Sequence, residues 1–253
     1  TGTQVWTVDL GAEAWAYAPE PAGELVVVAV RVSEGDHAIV AFEAATGDEA
    51  WRVSGGQPSN AVTHADGIIY VPTERASTPA GTNSTLYALD AATGNQRWEF
   101  SDPDALKFNQ ASVSDGIVVV TVNSLVDGGA GAYAFDSVSG DLMWEFTEDD
   151  GINRPAVIGN GIAILHSLPW VWGVDLHSGA ILWEVLGTSA GGGIAMGPEI
   201  AYIGFEDELR AVNPVDGSTR WSAPVSGIAG PPTVTSGLVY TGVWRRGDER
   251  EPH

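Results

Sequence analysis

The side chains that could perform catalysis are dispersed along the chain. Histidine, a frequent acid–base catalyst and metal ligand, occurs five times, and no two copies have a spacing typical of a metal site. The positions are His37, His64, His166, His177 and His253. Cysteine is absent, which excludes a cysteine nucleophile, thiolate zinc sites, iron–sulfur clusters and disulfides. We therefore predict no catalytic, cofactor-binding or metal-binding residue.

Three short segments carry fragments of binding or modification motifs. Residues 191–193 are glycines without the lysine and helix of a phosphate-binding loop, so we interpret them as a structural loop. Residues 83–85, Asn-Ser-Thr, match the N-glycosylation triplet and are predicted to lie on a surface loop. Calcium-type oxygen ligands cluster at one place without the alternating acidic pattern of an EF-hand, and weak calcium binding there stays open. This group is Glu148, Asp149, Asp150, Gly151 and Asn153.

Composition restricts the classes of partner. The 253 residues include 11 basic and 33 acidic side chains, which give a net charge of −22, and the only lysine is Lys107. Such a chain is not expected to bind a nucleic-acid backbone. The longest aliphatic run, residues 25–30, is far shorter than the roughly 20 residues that cross a bilayer, so no transmembrane segment is predicted. The acidity is similar to that of proteins from salt-adapted microbes, although a lysine-poor protein from a high-GC bacterium would look the same.

The strongest pattern is a repeat in which a glycine is followed four residues later by a tryptophan. Successive glycines of the five full copies are 47, 46, 39 and 38 residues apart, and a sixth, partial copy opens the chain. The glycines are Gly2, Gly47, Gly94, Gly140, Gly179 and Gly217, and the tryptophans are Trp6, Trp51, Trp98, Trp144, Trp183 and Trp221.

Each period also contains a tight turn followed by a β-branched or aromatic run, as in ADGIIYVPT at 65–73 and SDGIVVVTV at 114–122. We therefore predict about four strands per period, which in the second copy cover roughly 60–65, 68–73, 85–90 and 96–100. Helical periodicity is nearly absent. Repeats of this length and content are typical of an all-β propeller, here with about six four-stranded blades, five complete and partial ones at the ends.

Each repeated residue has a predicted structural role. The glycine supplies the left-handed backbone position of a hairpin turn. The tryptophan offers a flat apolar face to the neighbouring blade and an N–H donor to a backbone carbonyl. An aspartate before the turn, replaced by Glu43 and Asn213 in two copies, accepts hydrogen bonds from turn amides. These aspartates are Asp90, Asp136 and Asp175.

The run A-x-D-x-x-T-G-x-x-x-W, seen at Ala88, Asp90, Thr93, Gly94 and Trp98, resembles the tryptophan-docking motif of the PQQ-like, quinoprotein-type β-propeller superfamily. The resemblance recurs along the whole chain. It implies a propeller and an extracytoplasmic location. The superfamily includes dehydrogenases that bind pyrroloquinoline quinone with calcium, and cofactor-free scaffolds, such as the lipoprotein that assists outer-membrane protein assembly. The chain lacks the adjacent cysteines of the dehydrogenases, and no carboxylate cluster maps onto their calcium ligands, so we assign it to the branch without a cofactor.

The sequence thus favours a non-catalytic scaffold that binds a protein or peptide partner through its inter-strand loops. One alternative is a fragment of a quinone-dependent dehydrogenase. Another is a carbohydrate- or polymer-binding module that uses Trp15, Tyr17, Trp170 and Trp244. We predict a single domain over 1–253 that is a fragment of a longer propeller protein, because the third strand of the last blade should begin near residues 245–253.

Overall fold

The computed structural model describes residues 2–11, 13–32, 37–75, 83–124, 130–147, 152, 154–167, 169–187, 193–235 and 237–244. Within these ranges the chain is all β and has no helix, which confirms the predicted fold class. Accordingly, no described helix has the length and apolar character needed to cross a membrane. The protein divides into two compact units, residues 1–155 and 156–253.

The first unit contains three repeats of five strand segments each. In the first repeat these are β1 (Ala14–Ala16), β2 (Glu20–Ala22), β3 (Leu25–Val32), β4 (Ala38–Glu43) and β5 (Glu49–Ser54). In the second they are β6 (Gln57–Pro58), β7 (Thr63–Ala65), β8 (Ile68–Glu74), β9 (Ser84–Asp90) and β10 (Gln96–Asp102). In the third they are β11 (Ala105–Phe108), β12 (Ser112–Ser114), β13 (Ile117–Ser124), β14 (Ala130–Asp136) and β15 (Leu142–Thr147).

The second unit contains the fourth and fifth repeats and the start of a sixth. The fourth repeat comprises β16 (Val157–Gly159), β17 (Ile162–Ser167), β18 (Trp170–Asp175) and β19 (Ile181–Leu186). The fifth comprises β20 (Ile194–Met196), β21 (Ala201–Gly204), β22 (Glu206–Val212) and β23 (Thr219–Ala229). The last segments are β24 (Thr233–Thr235), β25 (Leu238–Tyr240) and β26 (Val243–Trp244).

Each full repeat is an antiparallel meander, with strand order β1-β3-β4-β5 in the first and β16-β17-β18-β19 in the fourth. In the first three repeats the innermost strand is split into two segments that pair with the same neighbour. The second and third repeats also share one ten-stranded sheet, because β11 pairs with both β13 and β8, the latter through Lys107 and Glu74. The second and third repeats are therefore not separate four-stranded blades, as the sequence predicts, but are joined by strand pairing.

Turn chemistry explains why the strands begin and end where they do. The turn before β8 has positive φ at both Asp66 (49°) and Gly67 (76°), which a two-residue hairpin matched to strand twist requires. The same pattern recurs before β13, at Asp115 and Gly116. The central strands are largely buried, and neighbouring sheets pack against each other within each unit. One core cluster joins the first and second repeats, another joins the second and third, and a third joins the fourth and fifth.

Candidate functional site

The tryptophan of one repeat contacts the turn of the next repeat. Trp51 on β5 donates its indole N–H to the carbonyl of Ala91 at 3.0 Å, and its ring lies against Gly94. A Cβ at position 94 would be 2.8 Å from the Trp51 ring, and the φ of Gly94 is +72°. Both the close approach and the left-handed backbone require glycine at this position.

The same arrangement occurs at three other junctions within the two units. The indole N–H of Trp6 donates to Ala44 at 2.9 Å, that of Trp98 to Ser137 at 3.2 Å and that of Trp183 to Pro214 at 2.7 Å. The facing turn glycines are Gly47, Gly140 and Gly217, whose Cβ positions lie 2.7–2.8 Å from the corresponding indole. The acceptor is in every case the residue after the repeated acidic or asparagine position of the turn, which is Glu43, Asp90, Asp136 or Asn213.

The remaining predicted residues of this set are placed differently. Trp144 on β15 is buried, with 6% of its surface exposed. Trp221 on β23 is 40% exposed and has a ring contact with Tyr202 at 5.9 Å between centroids. Gly179 has the left-handed φ of the other turns, at 73°. Gly2 is exposed, and nothing lies within 4 Å of its Cβ position.

The predicted aspartates close the turns that carry the glycines. The Oδ1 of Asp90 accepts the amides of Ala92 at 3.1 Å and Thr93 at 3.0 Å, and its Oδ2 accepts from Arg97 at 2.7 Å. Hydrogen bonds from Arg97, the larger cause, and from Thr93 hold the pKa of Asp90 below its ordinary value.

Asp136 and Asp175 accept the amides two and three positions later in the same way. Backbone amides, led by Ser139, lower the pKa of Asp136, whereas the hydroxyl and amide of Ser178 lower that of Asp175. Asn213 receives one such bond, from Val215 at 3.1 Å. These carboxylates are therefore committed to turn amides.

An aromatic cluster between the second and third repeats was not predicted from the sequence. Phe100 packs against Tyr133 and Phe135 with ring centroids 4.8 and 4.9 Å apart, and against Phe108 at 6.2 Å. The Tyr133 hydroxyl donates to the buried carboxylate of Asp102 at 3.0 Å. Burial, assisted by this carboxylate, raises the pKa of Tyr133. A phenylalanine two residues after the tryptophan, as at 100, is the signal that could have indicated the cluster.

The other motif fragments do not assemble into a reactive site in the described part of the chain. No group of three or more histidine, aspartate or glutamate side chains there could hold a metal ion. The calcium candidates at 148–151 and 153, and two of the glycines at 191–193, lie outside the described residues. The glycosylation triplet is only partly on the predicted surface loop: Asn83 is exposed and precedes β9, whereas Ser84 and Thr85 are buried at the start of that strand.

The aromatic residues considered for carbohydrate binding are only partly brought together. Trp15, 69% exposed, and Tyr17 line an open cleft of about 410 Å³ with Glu13 and Arg31. Trp170 is half-buried in β18, and the side chain of Trp244 lies outside the described part of the structure.

Exposed apolar side chains distinguish the outer strands of two repeats. On β15, Leu142 and Met143 are 49% and 41% exposed. On β19, Ile181, Leu182 and Leu186 are 54%, 45% and 59% exposed. These five residues are called the outer-strand apolar residues below.

Meandering four-stranded repeats, joined within each unit by an indole on a glycine turn, define this protein as a β-propeller repeat protein of the PQQ-like type. The family model described as outer membrane protein assembly factor BamB matches residues 1–150 and 167–248, so the chain belongs to this family. No curated protein sequence matched the chain.

Solved structures with the same fold include BamB and dehydrogenases. BamB from Moraxella catarrhalis is 16% identical with a TM-score of 0.64, over 89% of this chain and 68% of that one. A europium-containing methanol dehydrogenase is 13% identical with a TM-score of 0.63, over 85% and 62%. A quinohemoprotein alcohol dehydrogenase from Pseudomonas putida is 14% identical with a TM-score of 0.68, over 97% and 59%. At these identities the likeness shows the fold alone.

The described residues do not fit the pyrroloquinoline quinone and calcium that the resemblance to the dehydrogenase branch implies. Calcium needs six to eight oxygen ligands, and the repeated turn carboxylates of Asp90, Asp136 and Asp175 already accept backbone amides. No metal-binding cluster occurs elsewhere in the described ranges. We therefore derive no catalytic step through these groups.

Proposed function

We propose that the chain is a non-catalytic scaffold that binds a protein or peptide partner at its outer strands and the loops beside them. The observation that carries this proposal is the exposure of the outer-strand apolar residues on β15 and β19. Several exposed apolar side chains on one strand of a strongly charged protein favour a site of protein contact. The description of the matching family, an outer membrane protein assembly factor, supports the same function and an extracytoplasmic location.

The other repeats show that the fold does not need apolar residues at these positions. The two positions after the turn are Leu142-Met143 and Ile181-Leu182 in the third and fourth repeats. In the second repeat they are Gln96-Arg97, and Arg97 forms an ion pair with Asp90 at 2.7 Å. Since equivalent strands form with polar residues at these positions, packing within the repeat does not explain the apolar ones.

Strand β19 also offers unpaired backbone groups. Within the described residues it pairs only with β18, so it forms the edge of its sheet. The Gly187 amide donates to the Pro169 carbonyl at 2.8 Å. In an antiparallel pair, alternate residues direct their N–H and C=O groups toward the partner strand, so the backbone groups of Leu186 and Glu184 point away from β18. An extended peptide could add to this edge as a further strand. Glu184 and the net charge of −22 favour a partner with basic residues beside its apolar ones.

Site-specific photocrosslinking in producing cells tests this proposal. A crosslinker at position 182 should capture a defined protein, and one at Arg220, the equivalent position of the fifth repeat, should not. The purified partner should bind the double variant Ile181→Gln/Leu182→Arg, which copies the second repeat, at least about tenfold more weakly than the unmodified chain, as expected for a buried apolar contact. The variant Arg220→Gln is the matched control and should bind as tightly as the unmodified chain.

Two results would contradict the scaffold. One is equal capture at positions 182 and 220, or equal affinity of the double variant. The other is bound-cofactor absorbance together with alcohol oxidation after addition of pyrroloquinoline quinone and calcium, which would favour the dehydrogenase alternative instead.

A further inference from the structure

A cleft in the first unit lies between the first and second repeats. Its volume is about 280 Å³, well above the roughly 150 Å³ of an engineered apolar cavity that binds benzene. The floor is apolar and includes Val53 and Leu89, and the aromatic ring of Tyr87 also lines it. Among the lining residues the only charged side chain is that of Glu99, which is exposed. The cleft thus combines an apolar wall with the polar side chains of Ser54, Thr73 and Gln96 and one anionic group.

The next junction has aromatic rings at the equivalent positions. Between the second and third repeats, the position two residues after the tryptophan is Phe100, whose ring packs on Tyr133 and Phe135. The corresponding residues at the first junction are Val53, Tyr87 and Leu89, which lie at the same offsets from Trp51 and Asp90. A valine replaces one phenyl ring and a leucine replaces another. The cleft therefore lies where the chain itself places an aromatic ring one repeat later.

A second difference widens the space beside the tyrosine. Tyr133 donates to Asp102, which lies four residues after Trp98. The residue four after Trp51 is Gly55, which lines the cleft without a side chain. The ring of Tyr87 passes close to the following glycine, since a Cβ at Gly56 would be 3.3 Å from Tyr87 Cε2.

We propose that this cleft binds a small aromatic cation, whose ring occupies the place that Phe100 takes at the next junction and whose charge lies toward Glu99. The apolar floor recognises the ring. Glu99 and the net charge of −22 favour a cation over an anion of the same shape. This site is independent of the outer strands and does not rest on the scaffold function.

Phenethylamine is the probe that tests the proposal, and phenylacetate is its anionic counterpart. For so few atoms we expect a dissociation constant on the order of millimolar, measured by saturation-transfer NMR and calorimetric titration. Phenylacetate should bind at least about fivefold more weakly, because it lacks the attraction to Glu99.

Two substitutions at one position separate a blocked cleft from a damaged fold. Val53→Phe copies the next junction and should fill the cleft, weakening phenethylamine binding by about tenfold or more while the melting temperature stays the same or rises. Val53→Ala enlarges the cleft and should bind phenethylamine at least as tightly as the unmodified chain. Glu99→Gln should weaken binding by about two- to fivefold, whereas Glu145→Gln, the same change one repeat later, should not.

Saturable binding that Val53→Phe removes and Val53→Ala retains supports the site. If Val53→Phe fails to fold, Val53→Ala and the pair Glu99→Gln and Glu145→Gln decide the question. The proposal is overturned if phenethylamine shows no saturable binding, if phenylacetate binds as tightly, or if the folded Val53→Phe variant binds unchanged.

Discussion

Removing the tryptophan should have unequal effects at two neighbouring repeats of the second unit. Trp183 is 7% exposed, whereas Trp221 is 40% exposed. A tryptophan side chain has roughly 220 Å² of surface, so the difference in burial alone corresponds to about 2 kcal/mol at about 25 cal/mol per Å². In addition, Trp183→Ala leaves a cavity beside Gly217 and removes the donor to the Pro214 carbonyl, which lies 2.7 Å from the indole nitrogen. We expect Trp183→Ala to lower the free energy of unfolding by about 4–5 kcal/mol and Trp221→Ala by about 2–3 kcal/mol.

Urea denaturation followed by far-UV circular dichroism measures both variants without depending on tryptophan fluorescence. Trp183→Phe should fall between the unmodified chain and Trp183→Ala, because it retains most of the apolar surface and loses the N–H donor. Equal losses for Trp183→Ala and Trp221→Ala would refute the reasoning, since they would show that contact with the next turn adds nothing to the stability of the repeat.

Three further predictions concern the turns and one buried phenol. Gly94→Ala should lower the free energy of unfolding by about 2–4 kcal/mol in the same urea assay, because its Cβ would meet the Trp51 ring at 2.8 Å on a left-handed backbone. Burial, the largest cause, raises the pKa of Tyr70 to about 12. The stability contributed by the protonated phenol is therefore complete below pH 10 and is lost as pH rises toward 12. Tyr70→Phe should flatten the alkaline part of the stability profile. Asp90→Asn, which copies Asn213, should lower stability at pH 7 and have little effect at low pH. The pKa of Asp90 is lowered in the fold, so the ionised carboxylate stabilises the protein at neutral pH and this stabilisation disappears as pH falls through that pKa.

Strand positions were predictable wherever a turn motif marks them. In the second repeat the strands predicted over 68–73, 85–90 and 96–100 are Ile68–Glu74, Ser84–Asp90 and Gln96–Asp102. Asp66-Gly67 and Gly94 fix these ends through local backbone conformation, which depends only on neighbouring residues. The inner strand predicted over 60–65 is instead divided into Gln57–Pro58 and Thr63–Ala65. No local residue marks that division, because it depends on how the neighbouring sheet is placed.

Contacts between repeats were predictable in kind and not in detail. The spacing of glycine and tryptophan indicated that an indole would pack on a neighbouring blade and donate to a carbonyl. The partner of Asp102 could not be read from the sequence, since Tyr133 lies 31 residues away and only the stacking of two repeats brings the pair together. The Lys107–Glu74 pairing between β11 and β8 has the same origin.

The repeat separates the residues that build the fold from those that can vary without destroying it. The indole and the turn glycine occur in every copy, and wherever a junction lies within one unit and is described, a Cβ on the glycine would lie within 3 Å of the indole. The residue two positions after the tryptophan is Val53, Phe100, Phe146, Val185 or Ala223. Because the indole and turn hold neighbouring sheets together, a smaller residue at this variable position leaves a space that the junction tolerates. Binding sites between repeats are therefore to be sought where this residue is small and a facing aromatic ring is retained, as at Val53 and Tyr87.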